Sequence, residues 1–446
     1  MKKPDDMTIA GILRLVWPLA LGMINNAVMQ FVDRAYLAHH SLISLEACLP
    51  ASALAGVFVG FFQSVVGFSG VLVAQYHGAG DESGCRKSYH AGFCIAIVSG
   101  LLMLPLIPLG WWIFSLSSPS PELFASERAY YNVVMAGSVF LFGQIAASSY
   151  FTGRGRTRLV FWVNLGGNLV NIALDPLLIF TLGMGIEGAA IATVFSQLLQ
   201  FVVLVAMAHD KGIVLKADLS PDGDIVRRIL RFGLPAGGYE VLNMLSFTIF
   251  VFVTGTVGGV EFAVSNACFT VSYLLFAPLT GFALGAQTLV GHYRGAGDDE
   301  GAKKAARRTV GLGLAFAAIA SVLMLVFNRQ ILGLFAPEDA VQHAEFLKLG
   351  FWMLALVATW TIFDAFDTIV SGALKGAGDT RFVFWWMLIC AFLIWLPLTF
   401  AVKYSGGSIL RLWSTMLVYV FILSIGSILR WRMGAWKNIK VLEKKA

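Results

Sequence analysis

Asn164, Asn168, Asn171 and Asp175 follow one another at spacings of four, three and four residues. On an α-helix those spacings put all four side chains on one face. The sequence on either side, Leu159 to Val163 and Leu177 to Leu182, is apolar. The helix therefore suits a bilayer while carrying a polar stripe that ends in an acid. A carboxylate in hydrocarbon is costly and turns toward a bundle interior or a water-filled cavity. The Asn residues have a plainer use as hydrogen-bonding glue between membrane helices. Pro176 removes a backbone donor and crowds the carbonyl of Ile172. A bend is expected beside Asp175, leaving carbonyl oxygens for other use.

A second polar face lies near the N-terminus, where Asn26, Gln30 and Asp33 are spaced four and three. Asp33 is next to Arg34, but adjacent helical residues point about 100° apart, so their pairing is poor geometry. Asp33 and Asp175 both fall in the outer halves of their spans and can reach one depth. Thr193, in Ala189-Ala-Ile-Ala-Thr193, also starts from the outer side. Two carboxylates, an amide oxygen and a hydroxyl suit a hard cation such as Na+, or a shared proton. Thr193 carries less weight, since Thr commonly bonds back to its own helix. Gly22, Gly188, Ala189 and Ala190 are small enough to let the two helices approach closely. Further acids come later: Glu240 with Asn243, and Asp364 and Asp367 with Thr361, Thr368 and Ser371 on neighbouring turns. No Lys or Arg lies within a turn of them in their spans, so these acids are placed to exchange protons. Glu240 is close enough to the end of its span that a wet position is the competing reading.

These residues need helices to position them. The chain has 446 residues, 58% hydrophobic and 13% charged; soluble domains carry about a quarter charged residues. An all-α polytopic membrane protein follows, with room for about twelve transmembrane helices. Spans are expected near 10–37, 48–76, 90–115, 127–151, 158–181, 187–208, 227–255, 263–292, 309–333, 345–373, 382–403 and 409–431. The first is too long for a signal peptide and reads as a retained span. Pro50 is expected where the second helix begins, and Ser117 to Pro121 reads as a loop. Five scattered cysteines without a CxxC read as packing residues.

The chain repeats itself. Trp17-Pro18 recurs as Leu234-Pro235, and Gln75-Tyr-His-Gly-Ala-Gly-Asp81 as His292-Tyr-Arg-Gly-Ala-Gly-Asp298, both 217 residues on. Thr152-Gly-Arg-Gly-Arg-Thr-Arg158 recurs as Lys375-Gly-Ala-Gly-Asp-Thr-Arg381, 223 residues on. Two six-helix lobes are expected, 1–208 and 226–446, joined by a cytoplasmic linker at 209–225. Six spans return the chain to the side it left, so the pseudo-twofold axis should lie along the membrane normal with a central cleft. Of the 32 Lys and Arg, all but Arg34, Arg128, Arg329, Lys348, Lys403 and Arg411 fall at the termini or in connections after even-numbered spans. The positive-inside rule then puts both termini in the cytoplasm of a plasma (inner) membrane protein. The same placement accounts for the net charge of +6 by contact with anionic lipid, with no nucleic acid as partner. The Gly-Ala-Gly-Asp segments lack the Walker lysine–serine ending and read as tight turns. Among 35 Phe, 14 Met and 12 Trp, most should face lipid or pack helices. A minority lining the cleft would suit flat organic cations.

The sequence resembles the multidrug and toxic compound extrusion (MATE) family over about residues 10–430. The similarity rests on Leu19 to Asp33, the Gly-Ala-Gly-Asp turns, Gly153 to Arg158, and Asn171-Ile-Ala-Leu-Asp175. It continues in Gly188 to Thr193, Pro235 to Glu240, and Asp364 with Gly372-Ala-Leu-Lys-Gly376. The resemblance implies a secondary antiporter that exports amphipathic, often cationic compounds in exchange for Na+ or H+ by alternating access. It assigns Asp33, Asn171, Asp175 and Thr193 to a first-lobe cation site, and Glu240 and Asp364 to second-lobe acids seen in one branch. Trp360 stands where that branch often has a smaller polar aromatic residue. No cofactor is implied beyond the coupling ion.

A flippase for a lipid-linked precursor can share this architecture, but it would want basic residues inside the cleft. An ion channel would show pore loops and symmetric rings. An enzyme is disfavoured because the seven His sit in or near loops, mostly at span ends, and form no HExxH motif or evident triad. A monomer is expected, because the cleft lies within one chain.

Overall fold

Long apolar runs with few charges have one inexpensive conformation in lipid, the helix, because it satisfies its own backbone groups. The computed structural model of the chain describes residues 8–117, 119–209, 222–337 and 339–442, and among these it is all-helical. The helices are α1 (Ile9–His40), α2 (Leu42–Gly67), α3 (Ser69–Gly78), α4 (Glu82–Met103), α5 (Leu106–Ser115), α6 (Pro121–Gly153), α7 (Thr157–Pro176) and α8 (Gly185–His209). They continue as α9 (Gly223–Gly255), α10 (Gly259–Gly295), α11 (Asp299–Val326), α12 (Asn328–Gly333), α13 (Ala340–Ala377), α14 (Thr380–Leu388), α15 (Leu396–Tyr404) and α16 (Ile409–Met433).

Eleven stretches are long and apolar enough to cross a membrane; α4 and α5, meeting at 41° across Leu104-Pro105, supply a twelfth. The expected linker at 209–225 lies largely outside the described residues. Pro50 does not start a helix. The second span begins at Leu42, capped by the Ser41 hydroxyl accepting from the Ser44 amide at 3.0 Å. Pro50 sits inside α2, where the buried Ala47, Cys48, Ala51 and Ala55 hold the helix across the missing hydrogen bond.

Two compact units emerge. One comprises 21–241, 291–298 and the C-terminal residues from Val441; the other comprises the N-terminal residues to Ala20, 242–290 and 299–440. Their boundaries fall inside α1, α9 and α10. In the first unit α6 is central and packs against α2, α3, α4 and α8, while α7 packs on α8. In the second, α13 is central, between α11 and α16.

The repeated turns have one geometry. Gly80 and Gly297 have φ of 75° and 73°, and Gly155 and Gly378 have 74° and 92°. These left-handed values explain why glycine ends each helix. In each turn the following residue closes the helix end through its amide: Asp81 to Tyr76 and Asp298 to Tyr293 at 2.9 Å, Arg156 to Phe151 at 2.9 Å, and Asp379 to Leu374 at 2.8 Å. The Gly-Ala-Gly-Asp segments are thus helix C-terminal turns. Within the first unit, the repeat-related stretches also touch reciprocally. A Cβ on Gly78 would strike the His292 carbonyl, and a Cβ on Gly295 would strike the Gln75 carbonyl. His292 also donates from Nε2 to the carbonyl of Gly153.

Candidate functional site

The polar stripe on α7 divides its partners among three helices. Asn164, nearest the turn at Gly155, accepts from Gln144 Nε2 of α6 at 3.0 Å. One turn on, Asn168 donates from Nδ2 to Asn26 Oδ1 of α1 at 2.8 Å and accepts at Oδ1 from Gln200 Nε2 of α8 at 3.2 Å. Asn171 is fully buried. With its amide oriented by its neighbours, Nδ2 donates to Asp33 Oδ1 at 3.0 Å and Oδ1 accepts from the Thr193 backbone amide at 3.2 Å.

Asp175 closes the stripe. It is completely buried, and among the described residues no amide, hydroxyl or cationic donor reaches either of its carboxylate oxygens. What faces it is the half-buried carboxyl of Asp33, within hydrogen-bonding reach. Two carboxyl groups can share a hydrogen bond only when one carries a proton; otherwise a cation must lie near them. Among the described residues Asp33 forms no ion pair with Arg34, whose side chain is exposed. Asp33, Asn171 and Asp175 are therefore brought together by α1 and α7.

The other candidates are placed as follows. Thr193 contributes its backbone amide to Asn171, while its hydroxyl donates back to the Ala189 carbonyl at 3.0 Å. Gln30 is exposed. Gly22 has open space around it, so it marks no close approach; Gly188 does, because a Cβ there would press on the Leu178 backbone. At Pro176 the α-helix passes into a π turn, Leu177–Thr181, which is how the chain absorbs the missing donor beside Asp175. Sequence reasoning missed Gln144 and Gln200; an amide in an otherwise apolar span was the available signal. It also missed Tyr130 of α6 and Cys48 of α2, which approach each other beside Asp33.

Glu240, half-buried on α9, belongs to the same unit as this cluster. Asp364 and Asp367 belong to the other unit. There Asp367 is buried and accepts from Ser427 Oγ of α16 at 2.6 Å, and Asp364 is half-buried beside it. Trp360, one turn before Asp364, is buried and stacks on Trp413 with ring centroids 5.2 Å apart. Trp413 in turn stacks on Phe269 and donates to Ser265.

A buried acid pair, an amide that bridges it to a third helix, and a repeat of this kind fit a membrane transporter. The profile of the MatE family matches residues 18–177 and 235–401. The chain belongs to this MATE family of membrane transporters. Among its relatives is the uncharacterized transporter YisQ of Bacillus subtilis, 24% identical over 98% of this chain and 96% of that one. Another is a Thermotoga maritima protein named a probable multidrug resistance protein, NorM, 26% identical over 96% and 94%. The fold matches a solved multidrug resistance MATE transporter, described as outward-facing, with a TM-score of 0.88 at 20% identity over 98% of each chain.

Proposed function

We propose that this MATE transporter exports amphipathic, often cationic organic compounds in exchange for Na+ or H+. The observation that carries the reading is the Asp33–Asp175 pair, whose buried member Asp175 has, among the described residues, no amide, hydroxyl or cationic donor on either oxygen. A charged pair is suited to an organic cation or a metal cation nearby; a neutralised pair can close on itself. Ion and substrate then favour different arrangements of α1, which is the differential binding that coupling requires. Asn171 holds Asp33 to Thr193 through its two amide ends. Glu240, Asp364 and Asp367 are assigned a secondary, proton-exchanging role.

The transport lobes in this reading are the six-helix repeats, 1–208 and 226–446, working as a monomer in the inner membrane; the distribution of Lys and Arg supports cytoplasmic termini. No cofactor takes part, and no bond is made or broken in the substrate. The lipid-precursor flippase gains no support from relatives named for multidrug resistance.

The test is efflux of a fluorescent organic cation from proteoliposomes under a Na+ gradient alone and a pH gradient alone. One gradient should drive efflux in the wild type, and Asp33→Asn should abolish it. Persistence in Asp33→Asn with loss in Glu240→Gln would move coupling to the later acids. No movement of the cation by the wild type under either gradient would remove the multidrug reading.

A further inference from the structure

We propose that Gln200 and Asn168 are positioning residues that fix α1 against α7 and α8 and thereby set how strongly the Asp33–Asp175 pair takes up its coupling ion. This rests on the coupling role given above to that pair.

The argument starts from what α1 is attached to. Asp33 is held by Asn171. Seven residues earlier, about 10 Å along the helix, Asn26 is held by Asn168. An asparagine can present its oxygen or its nitrogen, and the bond to Asn26 forms as observed only if Asn168 presents Nδ2. Gln200 decides this. Its Nε2 occupies the Asn168 oxygen at 3.2 Å, which turns the Asn168 nitrogen toward α1. Both side chains are more than nine-tenths buried, so water does not compete for either bond. Gln200 is itself confined, because it fills the space where a Cβ on Gly167 would stand. The row Gln200–Asn168–Asn26 thus transmits one hydrogen-bond direction from α8 through α7 to α1. The acids themselves are not part of it.

A relay of amides has a property that a salt bridge or an apolar contact lacks: it can run backwards. Glutamate at 200 keeps the bond in either protonation state: protonated, it donates to the Asn168 oxygen as Gln200 does; ionised, it only accepts. In the ionised case Asn168 would flip to donate to it, and Asn26 would flip to donate to Asn168, restoring both bonds with reversed direction. Leucine at 200 keeps similar volume against Gly167 but supplies no donor, so the Asn168 orientation is released. Packing and tethering therefore predict opposite orders for the two variants.

The experiment measures the ion concentration for half-maximal efflux, as proton or Na+ according to the driving gradient, in wild type, Gln200→Leu and Gln200→Glu. Protein level and Tm are recorded in parallel. Binding of the same fluorescent cation to detergent-solubilised protein is titrated across pH and Na+ as a readout independent of transport. Gln200→Leu should shift the half-maximal ion concentration by about threefold or more, as expected for one membrane hydrogen bond of average strength, with the affinity for the organic cation unchanged at saturating ion. Gln200→Glu should stay close to wild type. An unshifted Gln200→Leu overturns the proposal, as does a Gln200→Glu that shifts as far as Gln200→Leu. Asp33→Asn keeps the two readings apart: its loss of coupling alongside an unshifted Gln200→Leu rejects the relay alone, whereas coupling that survives Asp33→Asn rejects the acid-pair reading.

Discussion

Asp175 faces Asp33 across two helices, while among the described residues neither of its own oxygens receives an amide, hydroxyl or cationic donor. An unsatisfied buried carboxylate is a stability cost that persists where function needs it. Asp175→Asn supplies a donor to Asp33 and removes that cost. The variant should lose gradient-driven efflux yet melt at the same temperature or higher, with a gain of about 1–3 kcal/mol. A variant that melts markedly lower would show that Asp175 is structural.

Asn171→Leu tests the bridge. It cuts Asp33 from Thr193 and leaves the carboxyl without its one amide donor. The expected loss is about 1–2 kcal/mol, with efflux reduced more than tenfold on the order expected for a misplaced coupling group. Tm and initial efflux rate read the two effects separately.

The glycines of the turns divide into two kinds, and substitution should tell them apart. Gly80 has φ of 75° and open space around it, so Gly80→Ala should cost only the left-handed backbone penalty, about 1 kcal/mol. Gly78 has ordinary helical backbone but touches His292. Gly78→Val should cost more, about 1–3 kcal/mol from overpacking, and Gly295→Val should match it. Thermal melts of the three variants check the order.

The polar ends of the helices are pinned by ion pairs of different depth. Asp379 is 3% exposed and accepts from Arg430 at 2.7 and 3.2 Å. Arg430→Met should destabilise by about 3–5 kcal/mol by stranding that carboxylate, and adding Asp379→Asn should recover most of it. A double-mutant cycle on Tm is the measurement.

Lys87 donates to Asp222 at 3.0 Å, at the start of α9. This contact, with Lys87 half-exposed, holds the Asp222 carboxyl below the usual carboxylate range. A depressed carboxylate stabilises the fold above its unfolded-state value near 4 and loses that contribution as pH falls through its folded value. Lys87→Met should therefore lower Tm slightly at pH 7, by less than about 1 kcal/mol. It should make no difference once the pH has fallen below the depressed folded-state value of Asp222, nor in molar salt at any pH.

The helices were legible because twelve apolar runs leave no other economical conformation in lipid, and because glycine marks where each repeated turn goes left-handed. The stripe on α7 was legible from spacing alone. What spacing could not supply was the partner on the facing helix. Asn164 turns to Gln144, Asn168 to Gln200, and Asp367 to Ser427; the partners sit 20, 32 and 60 residues away, on elements whose rotation the sequence leaves open. Local rules also lost to packing at two places. Pro50 reads as a helix start but lies within α2, and Gly22 reads as a contact point but has space around it.

The reciprocal crossing of the repeats has the form of a symmetric dimer interface. In a dimer of two identical six-helix subunits, the residue nearest the symmetry axis meets its own copy, and one substitution strikes both sides. Gly78 on His292 and Gly295 on Gln75 are that isologous contact written with two sets of numbers. In a single chain each position can change alone, and the two halves differ around the contact: Gln75 stands where the other half has His292, and Arg156 where it has Asp379. What the two halves share is the close approach of two backbones; what differs between them is the charge around it.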